Sequence, residues 1–257
     1  MRVLVVTAVP AEAEAVTRGL AGFAPSGPPR RLPSGHTVSP WRRDGLYGVP
    51  APGGSPAASP GAVVDVVAAG VGPAAAAVGA TSALASAPYA YDLVVSAGIG
   101  GGFAPHAPLG AVVVSDAIVA ADLGADTPDG YLTLDELGFG RSTHLPPAGL
   151  TARIAAALRA GGQRHVVAPV LTVSTVTGTA ERTAELVARH PGAGAEAMEG
   201  FGVAEAAAAH GVPVVELRAV SNTVGPRDRA AWQIGRAMDS LRYAFELLGT
   251  TVFLEDL

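Results

Sequence analysis

Two short stretches concentrate the groups able to do chemistry: Ala197-Met198-Glu199-Gly200 and, further on, Arg218-Ala219-Val220-Ser221-Asn222. The first opens an apolar helix and the second closes a buried strand. A thioether, a carboxylate and an amide therefore meet at the rim of one sheet. A carboxylate at low dielectric is a good bidentate partner for a pair of hydroxyls. A thioether is a polarisable neighbour, and an amide offers both a donor and an acceptor. These groups suit a ribose and a purine. Asn222 is the exchangeable position, because an amide and a carboxylate there would select different bases.

With 257 residues, 49% hydrophobic and 15% charged, the chain can bury a full core. A net charge of -5 leaves no electrostatic footprint for nucleic acid. The absence of cysteine excludes disulfides, thiolate metal sites and thiol nucleophiles. All 17 basic residues are arginine, which excludes Schiff-base chemistry and a P-loop lysine. The six histidines lack metal-ligand spacing, so no metal site is implied; no organic cofactor is expected. The apolar run after Met1 is too short and too soon acidic for a signal peptide, which points to the cytoplasm. Val66 to Ala87 is uncharged and long enough to suggest a membrane span, but Gly70-Val71-Gly72-Pro73 interrupts it. A strand, a turn and an alanine-rich helix explain that stretch better.

Strands are expected at 2–7, 63–69, 93–97, 111–120, 166–173, 193–197 and 212–220, alternating with helices at 10–20, 73–86, 150–160, 179–189 and 198–210. A final helix is expected from about Arg229, with Ile234, Met238, Leu241, Phe245 and Leu248 as its core face. This alternation predicts one α/β domain over 1–257, with a largely parallel central sheet and helices on both faces. Gly98 to Gly102 reads as a loop after a strand, where ligands of such sheets bind. Residues 24–61, rich in Pro, Gly, Ser and Arg, read as irregular, with a short hairpin around Trp41 to Val49.

Several of these motifs resemble the nucleoside phosphorylase and nucleosidase superfamily, in particular its methylthioadenosine/S-adenosylhomocysteine nucleosidase branch. Ser221-Asn222-Thr223-Val224-Gly225-Pro226-Arg227-Asp228, with Trp232, is most similar to the futalosine hydrolases of that branch. The resemblance implies a three-layer α/β/α sandwich around a mixed sheet and hydrolysis of the N-glycosidic bond of futalosine, with release of hypoxanthine for menaquinone synthesis. It also implies a homo-oligomer in which a partner loop helps close the pocket; residues 122–131 or 143–147 would supply it here.

Residue by residue, Thr7 to Glu12 resembles the family's first strand and loop, whose glutamate positions the hydrolytic water. That gives Glu12 a general-base role. Gly98, Ile99, Gly100 and Gly101 resemble the glycine-rich segment beside ribose and base. Met198 and Glu199 resemble the methionine under the sugar and the glutamate bridging its 2′ and 3′ hydroxyls. Ser221 and Asn222 stand where the family has Ser-Asp. Asn222 donates to a 6-oxopurine's O6 and N7, and steadies charge on the departing base as an oxyanion-hole donor does. Asp228 is the nearest carboxyl for a true general acid.

The segment from Thr175 through Gly178 and Thr179 flanks the base but lacks the aromatic residue of the adenine-specific branch, and Phe103 and Phe201 are the candidate replacements. Arg227 or Arg229 could pair with the substrate's carboxylate, and Trp232 or Phe201 could stack on its ring.

Four other classes compete. An adenine-releasing nucleosidase shares most of these residues. A phosphorylase would need arginine where Glu12 stands, and a glutamate would repel phosphate. A nicotinamide enzyme would need a third glycine where Phe103 stands and a helix where Pro105 and Pro108 follow. A non-catalytic nucleoside-binding protein finds support only in the loss of the family's aspartate.

Overall fold

Runs of valine and leucine make the central strands. β1 (Arg2–Thr7) is buried from Val3 onward, and its alternate residues face opposite ways, as a strand covered on both sides requires. Val3 and Val5 join one core cluster; Leu4 and Val6 join the other. In the computed structural model, residues 1–44 and 61–255 are described.

After β1 come α1 (Pro10–Gly19), the short β2 (Ala24–Pro25) and β3 (Arg30–Arg31), and then β4 (Thr37–Arg43). β5 (Ala62–Ala68), α2 (Pro73–Ala85), β6 (Leu93–Gly102) and β7 (Val112–Ala120) follow. A hairpin of β8 (Gly124–Thr127) and β9 (Gly130–Thr133) leads to α3 (Leu134–Leu137), β10 (Thr143–His144) and α4 (Ala148–Ala160). The chain continues through β11 (His165–Thr172), α5 (Ala180–Arg189), β12 (Ala195–Ala197), α6 (Gly200–Ala209) and β13 (Val214–Thr223). A 3-10 turn at Arg229–Ala231 precedes α7 (Ile234–Gly249).

The main sheet runs β10-β7-β11-β12-β6-β1-β5-β4-β2, with β13 paired to both β6 and β7. That double pairing closes β6, β13, β7, β11 and β12 into a ring. β1 is parallel to β5 and β6, β6 to β13, and β11 to β7 and β12. β12 meets β6 antiparallel, as β13 meets β7. The sheet is thus mixed and largely parallel. α1, α4 and α7 cover one face, burying Val16, Ile154, Leu241 and Phe245. α2 and α6 cover the other with Ala76, Ala80 and Val203. This is the three-layer arrangement expected.

Three expectations change. The glycine-rich segment is the second half of β6, not a loop; its glycines answer close approaches by neighbours rather than a turn. The described part of 24–61 carries edge strands between its turns: β4 pairs antiparallel with β5, with Trp41 opposite Val64. The rest of the hairpin expected around Trp41 to Val49 lies outside the described residues. The last helix begins at Ile234 rather than Arg229, because Asp228 caps a separate turn through Ala230 N at 3.0 Å. Ile234, in the first turn, is 44% exposed and not part of the core face. The stretch from Val66 to Ala87 is strand, turn and helix. Among the described residues no helix is long and apolar enough to cross a membrane.

Candidate active site

The carboxyl ends of β1, β5, β6 and β13 open onto one cavity of about 350 Å³. Ala8, Val9 and Glu12 line it from the β1–α1 junction, and Val71 from the turn after β5. Ile99, Gly100 and Gly101 come from β6, Glu196 to Glu199 from β12 and the start of α6, and Ser221 and Asn222 from β13. Val176 and Trp232 complete the lining.

Glu12 stands in the first turn of α1, which Pro10 starts. Its Oε2 accepts from Ala8 N at 3.0 Å and Val9 N at 3.2 Å, so the side chain caps its own helix. Its Oε1 accepts from Ile99 N at 2.9 Å, across on β6. Three backbone donors therefore fix a buried carboxylate in a cavity wall. Capping accounts for Oε2 alone; the reach to Ile99 ties Glu12 to the site.

Glu199 ends the turn into α6. Its Oε1 accepts from Gly72 N at 3.2 Å, and its Oε2 lies 3.1 Å from Arg218 Nη1. Gly72 has φ 93°, a left-handed conformation that aims its N–H at the carboxylate. Arg218 is 1% exposed. Its Nε donates to Glu216 Oε1 at 2.7 Å and its Nη2 to Ser96 Oγ at 3.1 Å. Burial alone would lower the Arg218 pKa, but Glu216, Glu199 and Glu12 outweigh it and hold the guanidinium protonated. Burial pushes the Glu216 carboxyl up, against the pull of Arg218. One buried cation thus joins Glu199 of the site to Glu216 beneath it, while Glu12 acts on it through charge alone.

At the other end, Asn222 Nδ2 donates to Thr223 O at 3.2 Å, and Ser221 Oγ lies 2.8 Å from Asn222 Oδ1. The Thr223 carbonyl can only accept, so the amino group lies on that side. Ser221 Oγ is also 3.2 Å from Gly100 O; its single proton goes to the nearer Asn222. One amino hydrogen of Asn222 stays available to a ligand. Met198, half-buried, lines the same cavity.

Gly98, Ile99, Gly100, Gly101, Met198, Glu199, Ser221, Asn222 and Glu12 are therefore brought together. Arg227 and Asp228 line a smaller adjoining recess of about 100 Å³ that shares Asn222, Val176 and Trp232. Arg227 and Arg229 lie over the Trp232 ring, at 5.1 Å and 5.8 Å from its centre. Asp228 caps the turn that follows it.

Four residues fall elsewhere. Phe201 is buried in the core with its ring 5.2 Å from His144, because the first turn of α6 carries it away from the cavity. Thr179 caps α5 through Arg182 N at 3.2 Å, and Gly178 O accepts from Arg227 N at 3.2 Å. Phe103 belongs to a separate core cluster. Glu196, Arg218 and Val71 are site residues to which sequence reasoning gave no role. For Glu196 and Arg218 a signal existed: a charge in an otherwise apolar strand, Arg218 beside Glu216 on its own strand, akin to the signal that marked Glu199. Among the described residues no cluster of three or more His, Asp or Glu is placed to hold a metal ion.

The phosphorylase superfamily model matches residues 58–247. A futalosine hydrolase of Streptomyces coelicolor is 66% identical over 182 residues, 69% of this chain and 74% of that protein. One of Acidothermus cellulolyticus is 42% identical over 246 residues, 96% of this chain and 89% of the relative. This chain belongs to the futalosine hydrolase family of the phosphorylase superfamily.

Solved structures agree on the fold. Futalosine hydrolase of Helicobacter pylori superposes with a TM-score of 0.74 at 15% identity, covering 96% of this chain and 97% of that one. A methylthioadenosine/S-adenosylhomocysteine nucleosidase of Colwellia psychrerythraea, in complex with adenine, gives 0.70 at 22% identity, covering 97% and 95%. These two proteins and this chain thus share one scaffold.

Proposed function

We propose that this protein hydrolyses the N-glycosidic bond of futalosine and releases hypoxanthine. The observation that carries the mechanism is the placement of Glu12 and the Arg218-linked Glu199 in one cavity wall, with Asn222 in the same cavity. Ribose binds with its 2′ and 3′ hydroxyls on Glu199, whose geometry Gly72 N–H and Arg218 hold before substrate arrives. Water beside Glu12 gives up its proton to that carboxylate as it attacks C1′. The sugar passes through an oxocarbenium-like state, with the polarisable sulfur of Met198 in the cavity beside it. The free amino hydrogen of Asn222 meets the developing negative charge on the base.

Water rather than phosphate is the nucleophile in this reading. Nε, Nη1 and Nη2 of Arg218 are each engaged, by Glu216, Glu199 and Ser96. A phosphate would find Glu12 and Glu199 in the cavity and no free guanidinium face. Arg227, in the adjoining recess, is the group placed to meet the carboxylate carried beyond the substrate's 5′ carbon. The protein acts in the cytoplasm, as a step in menaquinone synthesis, and as a homo-oligomer.

Base release from futalosine, inosine and methylthioadenosine, followed chromatographically with and without phosphate, tests this. Phosphate-independent hypoxanthine from futalosine, with little base from the others, is expected. Adenine from methylthioadenosine would shift the protein to the adenine-releasing branch, and phosphate dependence would make it a phosphorylase.

A further inference from the structure

Glu196 takes no part in the mechanism above, yet it lines the same cavity and is 4% exposed. It stands on β12, directly opposite Gly101 of β6. Asn222 of β13 is also in register with Gly101, from the other side. Residues opposite one another in a ladder point to the same face. Glu196, Gly101 and Asn222 therefore form a row across three adjacent strands, with a side chain missing in the middle. A Cβ at Gly101 would stand 2.8 Å from Val224 Cγ2 and 3.2 Å from Asn222 Nδ2, so a valine methyl and the amide both lean over that position. The two outer backbones are about 10 Å apart, two strand spacings. Both outer side chains, with Gly101, line the one cavity, so a planar ring entering it meets a polar group from each side.

The partners of Glu196 show which part of the carboxylate is free. Oε1 accepts from Thr177 N at 2.8 Å and Oε2 from Thr177 Oγ1. A carboxylate has roughly four lone-pair directions, so two remain beyond these bonds. Holding the segment around Thr177 needs only an acceptor, which a neutral amide would supply at lower desolvation cost.

We infer that Glu196 is a specificity-determining residue, its ionised carboxylate accepting the N1–H of a 6-oxopurine whose O6 and N7 face Asn222. A 6-oxopurine carries a hydrogen on N1; a 6-aminopurine carries a lone pair there, which a carboxylate repels. The base is then read at both ends of the Gly101 gap. This rests on the hydrolase reading for the nature of the base, but not for turnover.

The test is binding of free hypoxanthine, 1-methylhypoxanthine and adenine to the full-length chain by calorimetry, for the wild type and Glu196→Gln, with circular dichroism as the folding check. The wild type should bind hypoxanthine at least about 10- to 100-fold more tightly than either other base, the range expected for a hydrogen bond to a charged group. In Glu196→Gln the preference for hypoxanthine over adenine should narrow by about 10-fold or more, because the amide can donate to adenine N1. Equal weakening of all three bases would overturn the inference and leave Glu196 a tether for Thr177. Equal wild-type affinity for hypoxanthine and 1-methylhypoxanthine would also overturn it, and needs no variant to fold. Failure of the hydrolase reading has a separate signature: a wild type that ranks the bases as stated yet releases none from futalosine.

Discussion

Glu12 and Arg218 meet across the missing side chain of Gly98. A Cβ there would stand 2.5 Å from Glu12 Oε1 and 2.6 Å from Arg218 Nη1. Neither neighbour can retreat freely, since Glu12 is held by three backbone amides and Arg218 by Glu199, Glu216 and Ser96. Gly98→Ala should therefore push the carboxylate and the guanidinium apart. A displacement of that order costs about 10²-fold in kcat, with overpacking lowering stability by about 1–3 kcal/mol. Steady-state kinetics beside urea denaturation measure both, and an unchanged kcat would show that the close approach is not needed for turnover.

Glu12→Gln keeps the shape of the cavity wall and removes the basic oxygen. Turnover should drop by about 10²–10⁴-fold, while affinity for the nucleoside, measured by calorimetry, stays within a few-fold. Loss of affinity on the same scale as the loss of turnover would assign Glu12 to binding instead of proton transfer.

Arg218→Leu leaves Glu216 and Glu199 buried without their cation. Breaking a buried pair from one side costs about 3–5 kcal/mol, so denaturation midpoints should fall sharply. Adding Glu216→Leu should restore part of that loss, because the uncompensated charge goes too. If the two losses simply add, the pair is not coupled and Arg218 is not held in place by Glu216.

Burial pushes the Glu196 carboxyl above the ordinary glutamate range; the two Thr177 bonds and Arg182 pull the other way, and Asp122 adds to the rise. If its ionised form reads the base, kcat/KM for futalosine falls as pH drops through that raised value and is full above it. The sign follows from the carboxylate, not the acid, being the competent form. Glu196→Gln should lose this acid limb, and a profile with the limb intact in that variant would assign it to another group.

How much of this was legible in the sequence differs from residue to residue. Val3 to Val6 announced a doubly covered strand, and Leu241, Phe245 and Leu248 announced a helix face, because burial leaves a period that can be counted. Glu199 stood out as a charge among alanines and glycines, with Glu196 three residues before it. Gly98 to Gly102 misled: glycine is depleted in strands, and nothing local says that Glu12, Arg218 and Asn222 crowd that strand from elements far away in the chain. The same distance hid Glu196, whose meaning lies in its register opposite Gly101. Phe201 shows the reverse error, since adjacency to Glu199 in sequence becomes divergence once a helix begins.

The ring of β6, β13, β7, β11 and β12 has no free edge along its circuit, so none of these strands can peel away without breaking two ladders. Amide protons of β6 and β13 should consequently be among the last to exchange with solvent, protected up to the global unfolding free energy. The strand-borne part of the chemistry is thus anchored to the part of the molecule that breathes least. Adaptability is left to the connections that carry Val176 and Trp232. Change in what the cavity accepts is then a matter of exchanging side chains in fixed places, while the separation between those places is set by backbone hydrogen bonding itself.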